Sequence, residues 1–159
     1  MDRIDLVVEW RRGVGAFPLF QIFEARWVAY FFEFDEVNNV LHLAWEGQVT
    51  DEDLLEGASK GRRLLASRPG ARAISDFSRA TKIDVSSETV RKSAWAPDQG
   101  EGDSVVVTVA PGDFIFGMAR MYQMLADMNL RNHHIVRTLR EAYELLGMAA
   151  PQFARISDV

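Results

Sequence analysis

The segment Asp76-Phe77-Ser78-Arg79-Ala80-Thr81-Lys82-Ile83-Asp84-Val85-Ser86-Ser87 brings together two carboxylates, two cations and a run of hydroxyls. It follows a short apolar run, residues 71–75, and precedes a helix-like segment. The pattern reads as a strand ending in an acid, then a polar loop, then paired serines at a helix start. Serine there accepts hydrogen bonds from backbone N–H groups that have no partner within the helix. The same helix end favours negative charge. Ligands of an open parallel sheet lie beyond the carboxyl ends of its strands. Asp76, Asp113 and Thr138 each fall at or after a strand end, which predicts one shared rim. Asp76, Ser78, Arg79, Asp84, Ser86, Ser87 and Asp113 are therefore the candidate binding residues. The plainer alternatives are that Ser86 and Asp113 only cap helices and that Arg79 is a solvated loop charge.

Other chemistry is poorly supplied. Cysteine is absent, which excludes disulfides, thiol catalysis and cysteine-held metals and fits a reducing cytoplasm. The three histidines do not form a metal motif. His42 sits mid-strand, where a lone histidine is structural, and adjacent His133 and His134 point to opposite sheet faces. There is no Gly-x-Ser-x-Gly elbow, GxGxxG or phosphate loop. The expectation is no enzyme, no metal and no cofactor. Net charge is −5, which disfavours a nucleic-acid partner. No apolar run spans a membrane, and Asp2, Asp5 and Glu9 do not read as a secretion signal.

These side chains need a scaffold, and 159 residues with a 48% hydrophobic fraction suffice for one core. Residues 1–25 read as an extension carrying Phe17, Phe20 and Phe23, and residues 148–159 as a tail. Between them lies the domain, residues 26–147. An aromatic strand from Trp27 to Asp35 turns at Glu36–Asn39 into a second arm. Thr50 and Asp53 form a capping box for a helix with Leu54, Ala58, Gly61 and Leu65 inward. Pro69-Gly70 stops it. A strand from Ala71 to Phe77, a helix from Ser86 to about Trp95 and a nearly all-apolar strand, Ser104–Ala110, follow. The next helix carries Phe114, Met118, Met121, Leu125 and Met128 on one face. A fifth strand, His133–Thr138, leads to a last helix, with Thr138 and Glu141 as its capping box. The order predicts an α/β fold: a mostly parallel five-stranded sheet, an antiparallel hairpin strand and about four helices.

This order resembles that of STAS domains, the SpoIIAA-like anti-sigma-factor antagonists, and of the related SEC14-like fold, over roughly residues 26–147. Asp76-Phe77-Ser78 with Asp84-Val85-Ser86-Ser87 is similar to the STAS switch pattern D-L-S-x-x-x-x-x-D-S-S-G, except that Val85 replaces a serine and Ser87 a glycine. The segments Ala110–Met121 and Arg137–Leu146 are similar to later parts of bacterial SpoIIAA-like proteins of unknown function. The resemblance implies a non-catalytic regulatory module that binds a protein partner or small ligand through its rim, with Ser86 as a phosphorylation candidate. A SEC14-like carrier of an apolar small molecule is the alternative. A small hydrolase or isomerase using Asp76 or Asp84 as base comes third, and would need a buried carboxyl with a raised pKa. The aromatic residues of the extension and first strand predict a homodimer, or a cover supplied by the same chain.

Overall fold

The computed structural model describes residues 29–95, 104–126 and 132–157. Six strands and four helices alternate through them: β1 (Tyr30–Asp35), β2 (Val40–Thr50), α1 (Asp51–Ala66), β3 (Arg72–Asp84), α2 (Ser87–Ala94), β4 (Val106–Val109), α3 (Asp113–Ala126), β5 (His133–Val136), α4 (Leu139–Leu145) and β6 (Ala154–Arg155). They form one sheet in the order β5-β4-β3-β2-β1-β6. Strands β2 to β5 run parallel, and β1 is antiparallel to both β2 and β6. The fold is α/β with a mixed sheet. The sixth strand comes from the segment expected to be a tail, where Ala154 and Arg155 pair with Phe34 and Glu33. The phenylalanines of the expected extension lie outside the described residues.

Local chemistry sets the element ends. Asp35 closes the hairpin by accepting from the Asn38 backbone and side-chain nitrogens, each at 2.8 Å, and Asn39 takes φ 51° as asparagine readily does. Thr50 with Asp53 and Thr138 with Glu141 make complete capping boxes for α1 and α4. Ser86 caps α2 by accepting from the Thr89 N–H.

The helices divide over the two faces of the sheet. One apolar cluster joins α1 to Tyr30, Phe32, Leu43, Trp45 and Val49. The other joins α4 and the C-terminal segment to Val40, Ile74, Val107 and Val109. Val107 and Val109 are fully buried in the centre, while Val105 is only partly covered. Helix α3 is rotated from its expected face. Phe114 is 60% exposed and Met124 is exposed, whereas Ala119 and Ala126 are buried. Ala119 lies on the side of the helix that faces the sheet across a cavity, and Phe114 in its first turn lies on the exposed side.

The larger correction concerns β3. The expected loop after Phe77 is strand as far as Asp84, paired with β2 from Glu46–Arg79 to Thr50–Asp84. Two irregularities interrupt the register, between Ala44 and Glu46 and between Gly47 and Gln48, each with an extra residue on β3. At the first, the Asp76 carboxylate takes the Ser78 N–H at 2.8 Å. That local bond replaces a ladder bond and makes a bulge where a loop was expected. Gly47 adopts φ 69° beside the second, a conformation glycine accepts without strain.

Candidate functional site

The extended β3 separates the residues expected to share a rim. Asp76 pairs with Ala44 and Val109 in mid-strand, and Asp84 lies eight residues on, roughly 25 Å at the rise of an extended chain. Asp76 is 2% exposed and faces α4 rather than solvent. Ser78 is exposed beside it. The Arg79 guanidinium lies 5.6 Å from the Phe31 ring, which Arg155 approaches to 4.0 Å. Asp84 is exposed at the far end of the strand. Ser86 and Ser87 are exposed at the start of α2, where Ser86 N–H donates to Asp51 at 2.7 Å. That donor is the main cause holding the Asp51 carboxyl below the ordinary range. A phosphate on Ser86 would therefore meet a carboxylate as well as a helix end. Asp113 opens α3, 97% exposed, and pairs with Arg137 at 2.9 Å.

Two other groupings emerge. The first is polar and lies on the α4 face. His42 on β2 points Nδ1 at Glu33 on β1 (3.0 Å) and Nε2 at Asp76 on β3 (3.3 Å). Donating to both carboxylates requires a proton on each ring nitrogen. Phe153 covers the imidazole at 5.0 Å between ring centres, and Tyr143 lies beside Phe153. Burial raises the Tyr143 pKa, and the charges of Asp76, Glu33 and Asp35 add to it. Burial pushes Asp76 up, but hydrogen bonds from His42 and Ser78 outweigh it and leave the carboxyl below its ordinary value. Asp35 behaves alike: burial is outweighed by the N–H groups of Gln152 and Asn38. A catalytic base needs a raised pKa and access. Buried Asp76 has neither, and Asp84 is exposed.

The second grouping is a cavity of about 170 Å³ on the opposite face, between the sheet and α1, α2 and α3. Leu43, Trp45, Phe77, Ala58, Met118 and Val90 are among the residues forming its walls. Gly57 brings α1 close to the sheet here: a Cβ on it would stand 2.6 Å from Trp45 Cη2. Trp45 itself is fixed by a 3.0 Å hydrogen bond to Ser75 Oγ and by stacking on Phe77. The polar groups on the walls are few. Among them, Thr108 and His133 form a pair, Oγ1 to Nε2 at 2.8 Å.

Sequence reasoning missed the polar grouping, and reached an apolar cavity only as what a SEC14-like carrier would imply. The His42–Glu33 pair was within reach, because a four-residue turn at 36–39 sets Glu33 opposite His42. Asp76 and the cavity depend on long-range packing that no local pattern encodes. No protein-family profile, curated protein or solved structure matches the chain.

Proposed function

We propose that this protein is a non-catalytic binder of an apolar small molecule, held between the sheet and helices α1 to α3. The observation that carries the reading is the cavity of about 170 Å³ with predominantly hydrocarbon walls. Protein interiors have few voids larger than a water molecule. An apolar cavity of roughly 150 Å³ accommodates benzene, so this one matches a small aromatic or branched aliphatic body. Ala58, Gly61 and Ala119 are small at the wall positions where larger side chains would close it. This is the carrier form of the SEC14-like resemblance, and the burial and lowered pKa of Asp76 favour a binding role over a hydrolytic one that would use it as base.

Thermal unfolding with α-methylstyrene, a compact apolar probe, tests the reading. Ligand at a hundredfold excess over Kd stabilises by about 2.7 kcal/mol. The wild type should gain several degrees in Tm. Ala119→Leu, which fills the cavity from α3, should keep or raise the basal Tm and lose the ligand-dependent gain. A wild type unaffected by the probe at saturation in water would overturn the proposal.

A further inference from the structure

Arg62 is the one permanently charged side chain on the cavity wall, and among the described residues that form this wall there is no Asp or Glu. Its place follows from the helix period. Leu54, Ala58, Gly61 and Leu65 of α1 line the cavity, at the spacing that puts side chains on one helix face. Arg62 follows Ala58 by one helical turn and stands on the flank of that face. The neighbouring cations of α1 are engaged within the helix: Lys60 pairs with Glu56 at 3.0 Å and Arg63 donates to Ser59 Oγ at 3.2 Å. Arg62 has no hydrogen-bond, ion-pair or ring partner among the described residues.

Arg62 is half-buried, so it keeps accessible surface that the core residues around it have lost. An arginine so placed lays its methylenes along the apolar wall and carries its guanidinium to the wet margin. That group holds a fixed charge and a planar fork of N–H donors, and no acid of the wall answers either. The fork matches the two oxygens of a carboxylate through paired, charge-assisted hydrogen bonds. One cation balances one monoanion. A phosphate monoester, close to a dianion at neutral pH, would leave charge uncompensated beside hydrocarbon. The cavity of about 170 Å³ takes a body of benzene size. An ionised head then sits at the margin, where water limits its desolvation cost. Mostly apolar walls with very few placed polar groups are how small-molecule pockets fix orientation.

Resting on the reading of the cavity as a ligand site, we infer that its occupant is a compact apolar monocarboxylate. Its hydrocarbon body fills the space between the sheet and α1 to α3, and its carboxylate pairs with the Arg62 guanidinium at the margin. The walls set the size of the body, and Arg62 selects the charged head.

Three shape-matched probes separate this inference from the one beneath it. 2-Phenylpropenoate is α-methylstyrene with its methyl group replaced by carboxylate, and 2-phenylpropenamide has the same shape without the charge. Calorimetric titration at pH 7 gives the affinity of each for wild type, Arg62→Met and Ala119→Leu. The wild type should bind the carboxylate about fivefold more tightly than the amide, because charge-assisted hydrogen bonds are about twice as strong as neutral ones. Arg62→Met keeps an apolar stem on the wall and removes the charge. It should erase that preference and weaken the carboxylate about tenfold, the low end for hydrogen bonds to a charged group. α-Methylstyrene should stay within about twofold, since the wall remains apolar. In the wild type, the Arg62 Nε NMR signal should move on adding the carboxylate and stay fixed with α-methylstyrene. That spectrum decides the matter alone if Arg62→Met does not fold. Should α-methylstyrene fail to bind the wild type, the cavity reading falls and this inference with it. Should it bind while the carboxylate is held no more tightly than the amide, or equally well by Arg62→Met, the cavity reading stands and the ion pair is refuted. Carboxylate binding that survives Ala119→Leu would put the anion outside the cavity and refute the inference likewise.

Discussion

His42→Phe should cost the fold about 3 kcal/mol, with a pH dependence that identifies the cause. Phenylalanine keeps the ring volume against Phe153 and removes both nitrogens. Asp76, 2% exposed, then loses the His42 donor and retains those of Ser78, its backbone N–H and its hydroxyl. Breaking a buried pair by removing one partner costs about 3–5 kcal/mol. The lower end applies because the His42–Asp76 contact is long at 3.3 Å and Ser78 remains. With a urea m-value of about 2 kcal/mol/M, the midpoint should fall by about 1.5 M.

The sign with pH follows from Asp76. In the wild type its folded pKa is lowered, so its contribution is present above the ordinary carboxyl value and is lost as pH falls through the lower folded value. In the variant, burial dominates and the folded pKa rises above the unfolded one. The penalty is then absent below the unfolded value of about 4 and sets in as pH rises through the raised one. The deficit should be close to 3 kcal/mol at pH 7 and about 1 kcal/mol at pH 4. Adding Asp76→Asn to His42→Phe removes the stranded charge and should recover part of the loss at pH 7 only. Urea titrations at the two pH values measure all of this. A deficit under about 1 kcal/mol at pH 7, or one equal at both pH values, would refute the buried-pair argument.

Gly57→Ala and Gly61→Ala should move stability in opposite directions. An added Cβ at Gly57 meets the fixed Trp45 ring at 2.6 Å, and overpacking of about 1–3 kcal/mol should exceed the helix-propensity gain of about 1 kcal/mol. At Gly61 the nearest atom is Phe32 Cε1 at 3.5 Å, an ordinary contact, so only the gain remains; equal signs in denaturant melts would contradict the close approach of α1. At the start of α2, Ser86→Ala should lose about 1 kcal/mol and Ser86→Asp should stay within about 1 kcal/mol of wild type, since aspartate also caps. Destabilisation by Ser86→Asp beyond that, relieved by Asp51→Asn, would show that the neighbouring carboxylate outweighs the cap.

The parts of this fold that the sequence announces are those whose cause is local. Thr50 with Asp53, and Thr138 with Glu141, are three apart and cap their helices as that spacing dictates. Asn39 takes the positive φ a hairpin turn needs, and the largely apolar run at 106–109 is a covered strand one in from the β5 edge. The reading fails where a strand breaks its own period. Ala80, Ile83 and Val85 pack against the α1 cluster, but two extra residues on β3 disturb the alternation that would have marked them. Asp76 and Ser78 look like a loop because their hydrogen bond is the one that loops use. Helix α3 fails for another reason. The spacing of Phe114, Met118 and Met121 describes a helix face, but packing in three dimensions decides which face turns inward, and it buries Ala119 while leaving Phe114 exposed.

The alternation of β2 explains why the two groupings can coexist one strand apart. Leu41, Leu43 and Trp45 face the cavity, while His42 between them faces the acids. A polar network in a low-dielectric interior stabilises when every member is paired and is costly when one is not. On the α4 face the groups are paired: His42 meets two carboxylates, and Asp35 accepts from Asn38 and from Gln152 of the C-terminal segment. The C-terminal segment covers that face, with Phe153 over the His42 ring. On the α1–α3 face the cavity walls are predominantly hydrocarbon. On the proposed reading, stability and recognition fall on opposite sides of the same strands. The consequence is separability: His42→Phe should lower stability without changing the α-methylstyrene affinity, and Ala119→Leu should abolish that affinity without introducing the pH-dependent deficit. A variant of either residue that moved both quantities would show the faces to be coupled through the strand between them.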